Sequence, residues 1–304
     1  MLIDAYGNGE VFFGLIDAPL RWWQSFTAVL RGLGMHQSVL DPCVFYWYGN
    51  DDVTALKGVI ALHVGDMIIG GDSSFHATVL HNLKKRYPFK DWAEGQGDFL
   101  GRRLTQLADY SIRIEQSTYA KNIQTIDIGR ERGKERDHSI DDKETQQLRA
   151  VLGAANWLVG SSRPDIGVHT ALLQQRVGTV SDLTEANKLV AKLRDFAHVS
   201  ICVTFLLKIW LLVSSDASWS NTESLGSQAG YFIMVGDKRV EDGIWGDASV
   251  LSWKSYKLER RTQSTLGAEA ELMGAARAIA EGDWMRSMIA EALNPSKSGL
   301  CAGT

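Results

Sequence analysis

Three observations predict an α+β fold for this chain. Short apolar runs separated by Gly, Asn and Asp turn signals fill the first third. Amphipathic helical segments fill the middle, and the last third reads strand, strand, strand, long helix. A length of 304 residues corresponds to about two domains at ~150 residues each.

Taken in order, residues 18–33 are amphipathic and carry Pro19 at the start, where a helix tolerates it. Residues 44–48 and 53–69 are strand-like, bounded by Gly49-Asn50-Asp51-Asp52 and Gly70-Gly71-Asp72. Residues 76–87 form a basic amphipathic helix containing Lys84, Lys85 and Arg86, and residues 99–104 and 110–114 read as a hairpin pair. The run 121–149 holds seven basic and seven acidic residues, the composition of a solvated helix or linker, and marks a boundary. Helical periodicity resumes over 146–159, 166–176 and 183–196, with Arg163-Pro164-Asp165 punctuating the first two. Strands follow over 211–215, 229–235 and 249–254, then one Ala- and Glu-rich helix over 265–293. No internal repeat stands out.

A hydrophobic fraction of 45% and a charged fraction of 22% exclude a disordered tail, a collagen-like chain and a membrane bundle. Lys+Arg is 32 against Asp+Glu 36, so the net charge of −4 argues against a free-standing nucleic-acid binder. Cys43, Cys202 and Cys301 are far apart and form no CxxC pair, which disfavours a disulfide framework or zinc site and suits a reducing compartment. The first residues lack a basic n-region and an apolar h-region, so the expected location is intracellular, in cytoplasm or nucleus, and not secreted. Residues 199–215 mimic a membrane span, but Lys208 at their centre and their β-branched content favour one or two buried strands. No membrane partner is expected. The 10 Trp residues read as core aromatics in preference to a base-stacking platform.

Two constellations of carboxylates carry chemistry. Asp216 follows an apolar strand, and Glu269 and Glu271 lie on the terminal helix. A strand carboxylate and a helix carboxylate meeting at a sheet edge is a way to hold Mg²⁺ for phosphoryl transfer. On a helical wheel Ala268, Leu272, Ala275, Ala276 and Ile279 form one apolar stripe, with Glu269 and Glu271 on opposite flanks, so periodicity does not choose between them. The second constellation is His63-Val64-Gly65-Asp66, a polar turn between two apolar strands with Asp66 at the tip.

At these residues the chain resembles the reverse transcriptase and RNase H parts of the pol region of copia-type retrotransposons. Phe13-Gly14-Leu15 with Ala18-Pro19 and Trp22 is similar to the family's YGL..AP..W, and Asp41-Pro42-Cys43-Val44-Phe45 to its DPCVF. His63-Val64-Gly65-Asp66 stands where the family has YVDD, and Phe99-Leu100-Gly101 where it has FLG. Gly153 to Trp157 with Arg163-Pro164-Asp165-Ile166 resembles its G..L.WL...TRPDI. Asp216-Ala217-Ser218-Trp219, Gly230-Tyr231, Ser252-Trp253-Lys254-Ser255 and residues 264–272 follow its DADW, SGY, SWKS and SSTEAEY. The motifs occur in the family's order over nearly the whole chain.

The resemblance implies a reverse transcriptase palm remnant over 1–125, thumb and connection helices over 126–205, and a partial RNase H-like α/β domain over 206–304. It implies two Mg²⁺ ions, an RNA–DNA hybrid or primed RNA template as partner, and assembly with the rest of a pol polyprotein. It also implies Glu271 as the metal carboxylate in place of Glu269. The departures matter as much. Gly65 replaces the first hairpin Asp, leaving Asp66, and His63 replaces the Tyr. The early palm carboxylate should precede Phe13 by a long segment, and Asp4 is only faintly like it. Glycine binds no metal, so polymerase activity is not expected. Asp216 and Glu271 would be two ligands of a four-carboxylate RNase H site whose fourth strand the chain does not reach, leaving an open sheet edge and an unburied helix face.

Three functional readings follow. The first is a degenerate polymerase/RNase H fragment. The second is an RNase H-type nuclease whose ligands are completed elsewhere. The third is a catalytically dead nucleic-acid-binding module, with Lys84, Lys85, Arg86, Arg102 and Arg103 as expected contacts.

Overall fold

The computed structural model describes residues 16–49, 55–63, 66–87, 92–176, 178–220, 226–244, 246–259 and 267–294. It is an α+β protein with three antiparallel sheets among these residues. The chain divides into two compact units, Met1–Glu94 with Trp284–Thr304, and Gly95–Asp283. These divisions fall elsewhere than the sequence divisions at 125 and 205.

In the first unit, helix α1 (Ala18–Gly32) starts on Pro19 and buries Trp22, Phe26 and Leu30 at i, i+4, i+8. Strands β1 (His36–Gln37), β2 (Val44–Trp47), β3 (Gly58–His63) and β4 (Asp66–Gly71) form a meander in that order. The predicted strand over 53–69 is therefore the two arms of a hairpin. β3 alternates as its sequence requires, burying Gly58, Ile60 and Leu62. The basic segment is α2 (Ser73–Phe75), a π turn (His76–Leu80) and α3 (His81–Arg86), started by Asp72, whose carboxylate accepts the Phe75 N–H at 2.9 Å. Phe75 is fully buried against Gly58 and Gly71, which pair across the hairpin. A Cβ on either would lie within 2.3 Å of its ring, so only glycine fits.

In the second unit, β5 (Gln96–Phe99), β6 (Arg102–Gln106), β7 (Ile112–Glu115) and β8 (Ile201–Val203) form a second sheet in that order. The predicted pairing of 99–104 with 110–114 is borne out as β6 against β7, with Leu104 opposite Ile114, but its first arm starts later, because residues 99–104 straddle the β5–β6 turn. Leu100 and Gly101 there have φ of 50° and 71°, the signature of a tight type I′ turn. Helices α4 (Ser117–Asn122), α5 (Asp142–Val159), α6 (Gly167–Leu173) and α7 (Val180–Asp195) pack into one core around Leu152, Ala155, Leu158, Leu189 and Leu193. Within the charged run, a capping box starts α5: Asp141 accepts the Glu144 N–H at 2.7 Å and Glu144 accepts the Asp141 N–H at 2.9 Å. Arg132 adds two hydrogen bonds to the Glu144 carboxylate.

The third sheet is β9 (Trp210–Ser218), β10 (Gln228–Gly236) and β11 (Ala248–Lys257), ordered β11-β10-β9, followed by α8 (Ala268–Leu293). The 199–215 run does form two strands, but not buried ones: Leu207 between them is 91% exposed and β9 is an edge strand. No helix among the described residues is long and apolar enough to cross a membrane. The expected apolar stripe on α8 is also corrected. Leu272 is 71% and Ile279 57% exposed, and the buried face is Ala270, Gly274, Ala278 and Gly282. The reason is close approach: a Cβ on Gly274 would lie 3.4 Å from the Ala229 Cβ, and one on Gly282 2.6 Å from a Val213 methyl. Small side chains let the helix lie directly on β9 and β10. The Trp residues split similarly. Trp22 and Trp47 are core, whereas Trp157, Trp219 and Trp284 are exposed and Trp245 lies outside the described residues.

Candidate functional site: carboxylates at a sheet edge and an arginine–tryptophan face

Asp66 opens β4 and pairs with His63 across the hairpin, as its sequence position predicts, and is exposed. Val64, Gly65, Asp4 and the Phe13-Gly14-Leu15 segment lie outside the described residues. Asp66 belongs to the first unit, Asp216 and Glu271 to the second.

Asp216 pairs with Gly230 in the β9–β10 ladder and is exposed. α8 covers the face carrying Val213, Ala217, Ala229 and Ile233, the residues that Gly274 and Gly282 approach. Strand alternation therefore turns Asp216 to the opposite face. The helix also resolves the choice between the two glutamates in position. Arg277 stacks on Tyr256 at 4.4 Å and Glu281 accepts from Ser252 at 3.1 Å, so one flank of α8 leans over β11. Glu271 is on the other flank, toward β9, and Glu269 points further from the sheet. Asp216 and Glu271 thus share the β9 edge but belong to opposite faces of it. Among the described residues no group of three or more His, Cys, Asp or Glu is placed to hold a metal ion. The donor set does not fit a two-Mg²⁺ site, which needs several carboxylates converging on one point.

The basic residues are differently used. Lys84 sits 4.0 Å over the Trp92 ring and pairs with Glu94 at 3.3 Å, a contact that holds the Glu94 carboxyl below its ordinary range. Lys85 and Arg86 are exposed in the last turn of α3. Arg103 pairs with Asp98 at 3.2 Å. Arg102 is the built one. The type I′ turn delivers it to α5, where its guanidinium lies 5.6 Å from the Trp157 ring centroid and donates to Ser161 Oγ at 3.1 Å. Buried Gln116 fixes the turn by donating to the Gly101 carbonyl at 3.2 Å and accepting from Ser162 at 2.8 Å. The Arg102 Nε–H is buried without a partner among the described residues.

Trp157 is 43% exposed. It continues an exposed line on α5 of Arg149, Gly153 and Trp157, spaced i, i+4, i+8, while Leu148, Val151, Leu152, Ala155 and Leu158 face the core. A Cβ on Gly153 would meet nothing within 4 Å, so the helix surface beside the indole is open. The sequence points to Arg102 as a nucleic-acid contact, gives Gly153 and Trp157 only as parts of a motif, and does not single out Arg149. The available signal was their common helical spacing on the polar side of α5. Comparison of the chain with protein families, curated proteins and solved structures returns no match.

Proposed function

We propose that this chain is a nucleic-acid-binding remnant of the reverse transcriptase/RNase H region of a copia-type element, and that it binds primed RNA template or RNA–DNA hybrid without polymerising or cleaving it. The observation that carries the reading is the Arg102–Trp157 face on α5: a cation stacked on a half-exposed indole, next to a bare glycine and a second arginine. An aromatic surface with flanking cations accepts a base or sugar of any sequence while the arginines meet phosphate. The order of motifs supports the ancestry, with three antiparallel strands followed by a helix carrying Glu271. The absence of turnover is supported by Gly65 in place of a metal carboxylate and by Asp216 and Glu271 on opposite faces of β9.

Fluorescence anisotropy with a primed RNA template bearing a single-stranded overhang tests the binding. Trp157→Ala is expected to weaken it by about tenfold, the ordinary value of one stacked base, and Arg102→Ala by a similar factor. Affinity unchanged in both variants rejects the site. Nucleotide incorporation or hybrid cleavage above background by the purified chain in Mg²⁺ rejects the inactive reading.

A further inference from the structure

The outer edge of β9 is a row of backbone donors and acceptors with no strand beside it among the described residues. Natural edges of this length are blunted by Lys, Pro or a bulge. β9 has none of these: Trp210–Ser218 pairs with β10 without a register shift and carries a single charge, Asp216. Ile279 is exposed on the side of α8 opposite Arg277, the residue that leans over β11, and Val213 on β9 is also exposed. Backbone and apolar surface are therefore left open together, side by side.

We infer that a second copy of this chain pairs here, β9 against β9 in antiparallel register about a two-fold axis near Ser214. The geometry of α8 selects this occupant over an unrelated strand. Gly274 lies against Ala229 and Ala217, and Gly282 against Val213 and Ile233, so the helix sits above the gap between β9 and β10. Joining two such sheets at ~4.8 Å strand spacing sets the two α8 axes about 10 Å apart. That is close to the ~8–10 Å of packed helices. The same contacts place Ile279 level with Ser214 and Ser215, so it meets its own image at the axis. A foreign strand lacking a helix would pair the edge but leave Ile279 in water.

The charges permit the arrangement. Each Asp216 faces Leu212 of the other copy, and the two Asp216 side chains stay about 14 Å apart, beyond the ~8 Å screening length at physiological salt. Glu271 lies about 12 Å along the helix from Ile279, far from its symmetry mate. The helices run antiparallel, so their dipoles oppose favourably.

Sedimentation equilibrium of the full chain over a range of concentrations tests this. The wild type is expected to shift from monomer to dimer mass. Ile279→Lys, at an exposed position, is expected to raise the dimer dissociation constant at least about tenfold, with an unchanged far-UV circular dichroism spectrum. Ala280→Lys, exposed and about 100° round the same helix from Ile279, should leave it unaltered. Ile279→Cys should give a covalent dimer on mild copper–phenanthroline oxidation, and Ala280→Cys no more than the wild type. A wild type that stays monomeric to about 100 μM, far above the range of specific dimers, overturns the proposal. So does a dimer that survives Ile279→Lys, equal crosslinking at 280 and 279, or open-ended oligomers in place of a dimer.

Discussion

Arg163 is among the largest fully buried side chains, and its partners explain how a cation can be there. Its Nε and one terminal nitrogen donate to the two Asp165 oxygens at 2.7 and 2.8 Å, and the other terminal nitrogen to the Phe196 carbonyl at 3.0 Å. Burial is the strongest single influence on the Asp165 carboxyl and pushes it up, but the Arg163 hydrogen bonds and charge, with a backbone hydrogen bond and Lys192, together hold the group below its ordinary range. The guanidinium thus ties the α5–α6 connection to the end of α7. Arg163→Ala removes three hydrogen bonds and leaves a cavity, with an expected cost of about 3 kcal/mol in urea unfolding. The Arg-Pro-Asp punctuation was visible in the sequence; the third partner, 33 residues away, was not. Glu291 makes the same point from the opposite direction. Sequence places it in the last turn of a helix with no special role, yet in the first unit it is buried and accepts from Ser38 Oγ at 2.5 Å and the Val39 N–H at 2.7 Å. Tyr48, whose hydroxyl donates to the Glu291 and Ala292 carbonyls, is pushed up to about 12 by burial and by the neighbouring Tyr46 and Glu291.

At the scale of the element, α8 and α5 behave differently from one another. The buried face of α8 is defined by small residues, so its tolerance is set by volume. Gly274→Ala puts a Cβ at ordinary contact with Ala229. It should be neutral or stabilising by up to ~1 kcal/mol through helix propensity. Gly274→Leu has no room and is expected to cost about 1–3 kcal/mol or more. Thermal unfolding of the two variants distinguishes this face from the Leu272–Ile279 face that the wheel favours. α5 instead depends on its start. Arg132 and, next, the Asp141 N–H lower the Glu144 carboxyl to about 2. A carboxyl depressed in the folded state stabilises above its unfolded value of ~4.3 and loses that contribution as pH falls through the folded value. The melting temperature should therefore fall between about pH 4.3 and 2, and Glu144→Gln should flatten that part of the profile. The capping-box spacing was legible in the charged run, whereas Arg132 as its partner depended on a turn that folds the run back on itself.

For the whole molecule, a net charge of −4 and a nucleic-acid role are compatible only if binding is local. The face offers Arg102 and Arg149, so neutralising about two phosphates predicts a slope of log K against log salt near −2 or shallower. Anisotropy titrations at several salt concentrations measure it directly. A slope near −6 would assign the binding to a much larger basic surface than this one.

Some conclusions needed no tertiary structure. The α+β class, the order of strands and helices, the hairpin that carries Asp66 and the glycine, Gly65, that precedes it are all set by local pattern and residue identity. Those hold because turn chemistry, periodicity and the absence of a side chain act over a few residues. The folded chain alone decided which face of α8 is buried, that Asp216 and Glu271 address opposite faces of one sheet edge, and that Arg102 reaches Trp157. Each of these depends on strand parity, on how closely a helix approaches a sheet, or on two segments 55 positions apart meeting across a turn. Hydrophobic periodicity measures how apolar a face is. Steric fit determines which face can come close enough to be buried.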